Sequence, residues 1–181
     1  MPEARTFKAD LHCHSSVSDG VLTPTEVATR AHANGVTLWS LTDHDEIGGI
    51  AAARKQAEAL GMQFVSGIEI SVTWAERTLH VVGLNIDVEN QDLNAGLEKI
   101  RRDREQRAHA MADKLAELGI QGTYEGALGY AGNPNLLSRT HFARYMVEQK
   151  YCASMQAVFD QYLADGKPAY VAGEWAQLDE A

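Results

Sequence analysis

Short apolar runs alternate with stretches of helical period over residues 6–86. Runs at 6–9, 38–42, 64–68 and 78–82 have strand character. Between the first three lie two stretches of helical period. In the first, Thr23-Pro24-Thr25-Glu26 reads as an N-cap with proline at the first helical position, and the helix continues through Val27, Ala28, Ala31 and Ala33 to a stop at Gly35. The second, Ala-rich, spans 48–60 and is closed by Gly61. Strand, helix, strand in this order predicts parallel β-α units. From about residue 90 to 167 the pattern turns helical. Leu93, Leu97, Ile100, Met111, Leu115 and Leu118 fall mostly at helical spacings and end at Gly119. A loop through Gly129, Gly132, Asn133, Pro134 and Asn135 precedes two further helices at 141–149 and 155–164, and residues 167–171 return to extended character.

Polar residues that can bind a metal interrupt or end the apolar runs. In Asp10-Leu11-His12-Cys13-His14 the two histidines are two apart, so on a strand both imidazoles point to one side. The second run leads into Asp43-His44-Asp45, the third into Glu69, and the fourth contains His80. Glu69 alone reads as a solvated charge and His80 alone as an ordinary strand histidine. With Asp19 they make a set of imidazoles and carboxylates able to hold more than one divalent ion. These candidates are expected on the loops where strands end, as on a barrel's active face. Cys13, between the histidines, is expected to point away from them as a packed residue, and without a repeated Cys-x-x-Cys a structural zinc knuckle is not expected.

A second set is cationic. Arg101, Arg102, Arg104 and Arg107 share one helical stretch, and Arg104 and Arg107 lie on one face that can grip a phosphate. Taken alone they read first as a solvated basic face beside Glu98, Asp103 and Glu105. Ser138-Arg139-Thr140-His141 opens a helix, where free N–H groups favour an anion; for His141 phosphate contact is preferred to metal ligation. His32 and His109 read as surface or packing residues. No Gly-x-Ser-x-Gly elbow supports a Ser-His-Asp triad, and no Walker-type loop occurs.

Composition narrows the class. With 181 residues, 45% of them hydrophobic, the chain can bury a core. A formal net charge of -9 argues against a protein that grips long nucleic acid through a basic surface, and leaves a small anionic substrate whose site has its sign reversed by bound cations. No apolar run approaches 18 residues and residues 1–5 lack the apolar core of a signal peptide, so the expected location is the cytoplasm, without membrane association. Two cysteines fit a reducing compartment.

The ordered motifs Asp10-Leu11-His12-Cys13-His14 with Asp19-Gly20, Thr42-Asp43-His44-Asp45, Gly67-Ile68-Glu69-Ile70-Ser71 and His80 resemble the PHP family, named for polymerase and histidinol phosphatase domains. Within it, Arg104-Glu105-Gln106-Arg107 and Ser138-Arg139-Thr140-His141 resemble the branch acting on nucleoside 3′,5′-bisphosphates and short oligoribonucleotides. The resemblance implies an α/β fold, the N-terminal portion of a distorted (β/α)7-like barrel with a helical insertion: residues 1–88 as barrel with the metal site, 89–166 as insertion and substrate cap, 167–181 as a return to the barrel. It implies two or three divalent ions, manganese first and zinc or iron as alternatives. His12, His14 and Glu69 would hold one ion, Asp19 and His44 a second, and Glu69 with His80 a third. Arg104, Arg107, Arg139 and His141 would bind substrate phosphate. The family's later His-Pro and Asp-x-His have no counterpart here, so the chain reads as part of a longer protein. The implied activity is hydrolysis of a phosphomonoester, first the 3′-phosphate of a nucleoside 3′,5′-bisphosphate, with short 5′-phosphorylated oligoribonucleotides next. The ions would lower the pKa of water and neutralise phosphoryl oxygens during in-line attack; no residue is identifiable as general acid. A metal-dependent amidohydrolase of C–N bonds, or a metal-binding module without activity, are the alternatives.

Overall fold

The structure, a computed structural model, describes residues 7–75, 77–173 and 175–181. Thr6, read as the start of the first strand, and residues 1–5, read for a signal peptide, lie outside the described residues. The fold is α/β. Strands β1 (Ala9–Asp10), β2 (Leu38–Leu41), β3 (Gln63–Trp74), β4 (Arg77–Leu84) and β5 (Ala176–Gln177) form one sheet in the order β1-β2-β3-β4, with β5 beside β3. The β1/β2, β2/β3 and β3/β5 pairs are parallel, in registers that set Ala9 against Leu38, Leu38 against Gln63, and Val72 against Ala176. The two residues between β3 and β4 are too few for a parallel crossover.

The described residues form two compact units, 7–71 with 80–94, and the described residues of 72–79 with those of 95–181. In the first, α1 (Pro24–Ala33) and α2 (Ile50–Ala59) connect the first three strands. Thr23 caps α1 in a reciprocal box: its side chain accepts from Glu26 N, and its own N–H donates to Glu26 Oε2 at 2.8 Å. The two helices pack together and bury Ala28, Ala31, Ala53 and Ala57 in one core with Val36, Trp39, Leu41 and Met62. Small helix residues against large strand residues let these short β-α units close tightly.

The second unit is built around α3 (Gln91–Glu117), whose Met111 and Leu115 lie in a core with Ile120, Phe142, Met146, Val158 and Leu163. It continues through α4 (Thr123–Leu128), α5 (Arg139–Glu148) and α6 (Met155–Val158), the last running into a π-helical turn at Phe159–Leu163. Helix α4 had no clear signature in the sequence, because Gly122 and Gly126 interrupt a run too short for helical periodicity to show. The extended stretch expected at 167–171 is instead turn and irregular backbone, and the strand lies later, at Ala176–Gln177. Pro168 has no N–H to give a ladder, which accounts for the displacement. No helix among the described residues is long and apolar enough to cross a membrane.

Candidate metal centre

Two local devices bring the first motif to the second. The β1 ladder ends at Asp10, so His12 and His14 lie beyond the strand expected to carry them. The segment stays attached to the end of β2: Thr42 N donates to Cys13 O at 3.0 Å, and Cys13 N donates to Thr42 Oγ1 at 3.2 Å. The convergence expected from the two-residue spacing holds, with the Nε2 atoms of His12 and His14 3.3 Å apart. The thiol of Cys13 accepts from Trp39 Nε1 at 3.2 Å and donates to Ser40 O at 3.3 Å; burial pushes its pKa up to about 12, as befits a packed neutral thiol.

Glu69 lies inside β3, not at a strand end as the apolar run 64–68 suggested, and His80 lies inside β4. The run looked finished because a charge follows it, yet residues 66–72 are buried on both faces of the strand. Gly67 permits this depth: a Cβ there would lie 2.2 Å from Ser40 Oγ and 2.7 Å from Thr42 Cγ2. The backbone of Glu69 is fixed to the segment after β2 by its N–H to Asp43 O at 3.2 Å and by Asp45 N to its carbonyl at 2.9 Å.

The buried Glu69 carboxylate lies among four imidazoles. Its Oε2 is 2.7 Å from His12 Nε2, 2.9 Å from His14 Nε2 and 3.8 Å from His44 Nδ1, while Oε1 is 4.0 Å from His80 Nδ1. Burial alone would raise this carboxyl's pKa, but hydrogen bonds from His14 and His12, with the nearby His44, outweigh it and hold it at about 2. Burial likewise depresses His14, and the bond to Glu69 with the neighbouring Asp19 charge reverses the sign to a net rise. All six candidate ligands therefore meet, in three groups whose ligand atoms lie within 4.8 Å of one another: His12, His14 and Glu69; His14, Asp19 and His44; His44, Glu69 and His80. His14 and His44 each belong to two groups, as Glu69 does, a sharing that the sequence did not suggest.

Divalent ions fit this site on two grounds. The donor set is imidazole and carboxylate, closely grouped. In addition, His14 Nδ1 is buried without a hydrogen bond, with Asp19 Oδ1 3.7 Å away, as suits a nitrogen placed to receive a cation.

Residues that sequence reading passed over hold the ligands in place. The buried Asp43 carboxylate accepts from Ser15 N at 2.7 Å, Ser15 Oγ at 2.6 Å and Ser18 Oγ at 2.6 Å, tying the loop that bears Asp19 to the residue before His44. Gly20 completes the loop, since a Cβ there would sit 2.7 Å from His14 O. Asp45 accepts from Ser71 N at 2.7 Å and Ser71 Oγ at 2.8 Å. The available signals were an acid on either side of His44 and a serine-rich loop that had read only as turn chemistry.

The cationic set lies in the second unit. Arg104 and Arg107 are buried rather than forming the solvated face that the sequence alone favoured, whereas exposed Arg102 pairs with Glu98 at 3.0 Å. Their guanidinium carbons lie 4.8 and 5.4 Å from the Trp175 ring centre, and Arg107 Nε donates to Val171 O at 2.8 Å. Indole stacking buries two cations that the neighbouring Glu98, Asp103 and Glu105 had suggested were solvated. Arg139 donates to Leu163 O at 3.3 Å and lies over Phe159 and Tyr170. Burial, with the charges of Arg139 and Arg104, pushes Arg107 down to about 10. Among the described residues neither Arg107 nor Arg139 makes an ion pair with a carboxylate. His141 is fully buried at the start of α5, its Nδ1 accepting Ser138 N–H at 3.1 Å in a capping box, which leaves the proton on Nε2.

The chain is 48% identical over 172 residues to a 3′,5′-nucleoside bisphosphate phosphatase of Chromobacterium violaceum, covering 95% of this chain and 60% of that protein. It is 43% identical over 176 residues to a 5′-3′ exoribonuclease of Haemophilus influenzae, covering 97% and 64%. A solved structure described as an amidohydrolase from Chromobacterium violaceum, with bound sulfate and no metal, superposes with a TM-score of 0.92 at 47% identity over 96% of this chain and 61% of that one. The chain thus spans about three fifths of the length of these relatives. The PHP domain profile matches residues 10–171, which include every candidate ligand, and the chain belongs to the PHP family.

Proposed function

We propose that the chain carries the metal centre of a cytoplasmic phosphoesterase that removes the 3′-phosphate from nucleoside 3′,5′-bisphosphates, with short 5′-phosphorylated oligoribonucleotides as a further substrate class. The observation that carries this reading is the buried Glu69 carboxylate set among His12, His14, His44 and His80. His12, His14, Asp19, His44, Glu69 and His80 are the proposed ligands of two or three divalent ions, with manganese the first to test. Such ions would polarise a phosphoryl oxygen and lower the pKa of water near neutral pH. Glu69, anionic through the physiological range, would offset the cationic charge and keep the imidazoles in place.

Arg104, Arg107, Arg139 and His141, within the proposed cap segment 89–166, are proposed to bind substrate phosphate. Support comes from the buried guanidinium cluster and from His141, whose protonated Nε2 makes it a hydrogen-bond donor suited to a phosphate oxygen rather than a metal. The names of the two curated relatives supply the substrate class. A C–N bond hydrolase is the second reading, favoured by the description of the superposed structure.

Phosphate release in the presence of manganese, measured on a nucleoside 3′,5′-bisphosphate, the 3′-monophosphate and p-nitrophenyl phosphate, tests the proposal. The expected order places the bisphosphate first. Turnover of an amide substrate with all three phosphate esters inert establishes the second reading instead.

A further inference from the structure

His80 is reached by a short polar chain that starts at a strained residue. Asp45 has φ of +51°, in the left-handed region, where aspartate is tolerated at a cost that surrounding structure must over-determine. Both Asp45 and Ser71 are fully buried. The Asp45 carboxylate takes two hydrogens from one residue, the Ser71 backbone N–H at 2.7 Å and the Ser71 hydroxyl at 2.8 Å. Ser71 Oγ in turn lies 3.4 Å from His80 Nδ1.

A serine hydroxyl has one proton. Here Asp45 receives it, so Ser71 can offer His80 only a lone pair. The imidazole nitrogen that faces this lone pair, Nδ1, is then the one that carries the hydrogen. The Ser71 to Asp45 polarity therefore decides which imidazole nitrogen of His80 is left for a cation.

We propose that Asp45, acting through Ser71, is a positioning residue that places the His80 proton on Nδ1 and presents Nε2 as the metal-binding nitrogen. This deepens, and rests on, the reading of His80 as a ligand, but its first consequence is a property of the metal-free protein. An outer partner of this kind sets both the tautomer and the basicity of the ligand it orients, and is worth about 10- to 100-fold in metal affinity.

The test uses Asp45→Asn, which keeps the side-chain shape and tolerance of left-handed backbone while reversing the polarity of the chain. The carbonyl of the substituted side chain can still accept Ser71 N–H; its amide then donates to Ser71 Oγ, and the released hydroxyl proton turns toward His80 Nδ1. Long-range ¹⁵N-¹H correlation spectra of the metal-free chain, at a pH where the imidazole is neutral and with the resonance assigned by its loss in His80→Gln, read the tautomer directly. The wild type is expected to show the proton on Nδ1 and Asp45→Asn to move it to Nε2, with zinc affinity by titration calorimetry falling about 10- to 100-fold. Ser71→Thr, which keeps the hydroxyl, should retain the wild-type tautomer, and Ser71→Ala should lose the preference. A wild-type His80 protonated on Nε2, or an Asp45→Asn protein with unchanged tautomer, overturns the inference. If the tautomer behaves as expected while the wild type binds no zinc, the positioning role stands and the metal-centre reading fails.

Discussion

The Ser15 hydroxyl donates to Asp43 Oδ2 at 2.6 Å, joining two segments of the proposed metal centre that are 28 residues apart. The same carboxylate holds Ser15 N and Ser18 Oγ. One buried acid therefore fixes the conformation of the loop between His14 and Asp19. A buried anion is tolerated there because three donors satisfy it. Asp43→Ala would leave those donors buried without a partner. The expected loss of stability is about 3 kcal/mol in urea unfolding, with Ser18→Ala costing about 1 kcal/mol. An Asp43→Ala protein as stable as the wild type would show that the loop is held by its backbone alone.

Glu69→Gln removes the charge shared by two of the three ligand groups. Metal content by mass spectrometry after manganese loading should fall, and apparent affinity should drop by more than the roughly 10- to 100-fold expected of a residue that only orients a ligand. Full metal content with full activity in this variant would remove Glu69 from the ligand set.

Manganese or zinc should stabilise the wild-type chain against heat, since the ligands converge only in the folded state. At a free concentration about 100 times the dissociation constant the gain is roughly 2.7 kcal/mol. A chelator should reverse the shift in melting temperature. His12→Ala should reduce it, whereas His32→Ala, on α1 and in none of the ligand groups, should not.

Arg107 is buried against its electrostatic interest, with its pKa lowered to about 10 first by burial and then by Arg139 and Arg104. The sign follows from linkage. A cation whose folded pKa lies below its unfolded value of 12.5 disfavours folding while charged, up to about pH 10, and the penalty lifts as pH rises through that range. Arg107→Met should therefore leave the free chain as stable as the wild type or more so at pH 7. The same change should raise the KM for a nucleoside 3′,5′-bisphosphate about tenfold or more, with metal content unchanged. Arg139→Ala should act in the same direction on KM. Equal specificity constants for bisphosphate and 3′-monophosphate in the wild type would show that the cluster does not read a second phosphate.

Gly67→Ala puts a methyl 2.2 Å from Ser40 Oγ and 2.7 Å from Thr42 Cγ2, atoms of the adjoining β2 and its end. Overpacking at a site this close should cost about 1–3 kcal/mol. Because the backbone of Glu69 is two residues on, metal binding should weaken as well. A neutral effect on both would mean that β2 and β3 can separate without disturbing the ligands.

The family came from the resemblance of the ordered motifs; reading the residues in order was enough to find the β-α alternation from β1 to β3 and the metal-ligand candidates. Each rests on local physics: apolar period, caps at Thr23 and stops at Gly35 and Gly61, and residue types whose lone pairs suit cations. Spacing also put His12 and His14 together, because two residues apart is a short-range relation that survived even though both lie outside the strand. Long-range packing settled the rest. That Glu69 lies in the middle of β3 depended on burial of both strand faces, which an apolar run cut by a charge does not reveal. That Arg104 and Arg107 are buried depended on Trp175, far along the sequence, whose ring replaces the water a charged face would otherwise have. The work of Asp43 and Asp45 was hidden for the same reason: the residues beside His44 are plain in the sequence, but their partners Ser15, Ser18 and Ser71 reach them only when separate segments fold together.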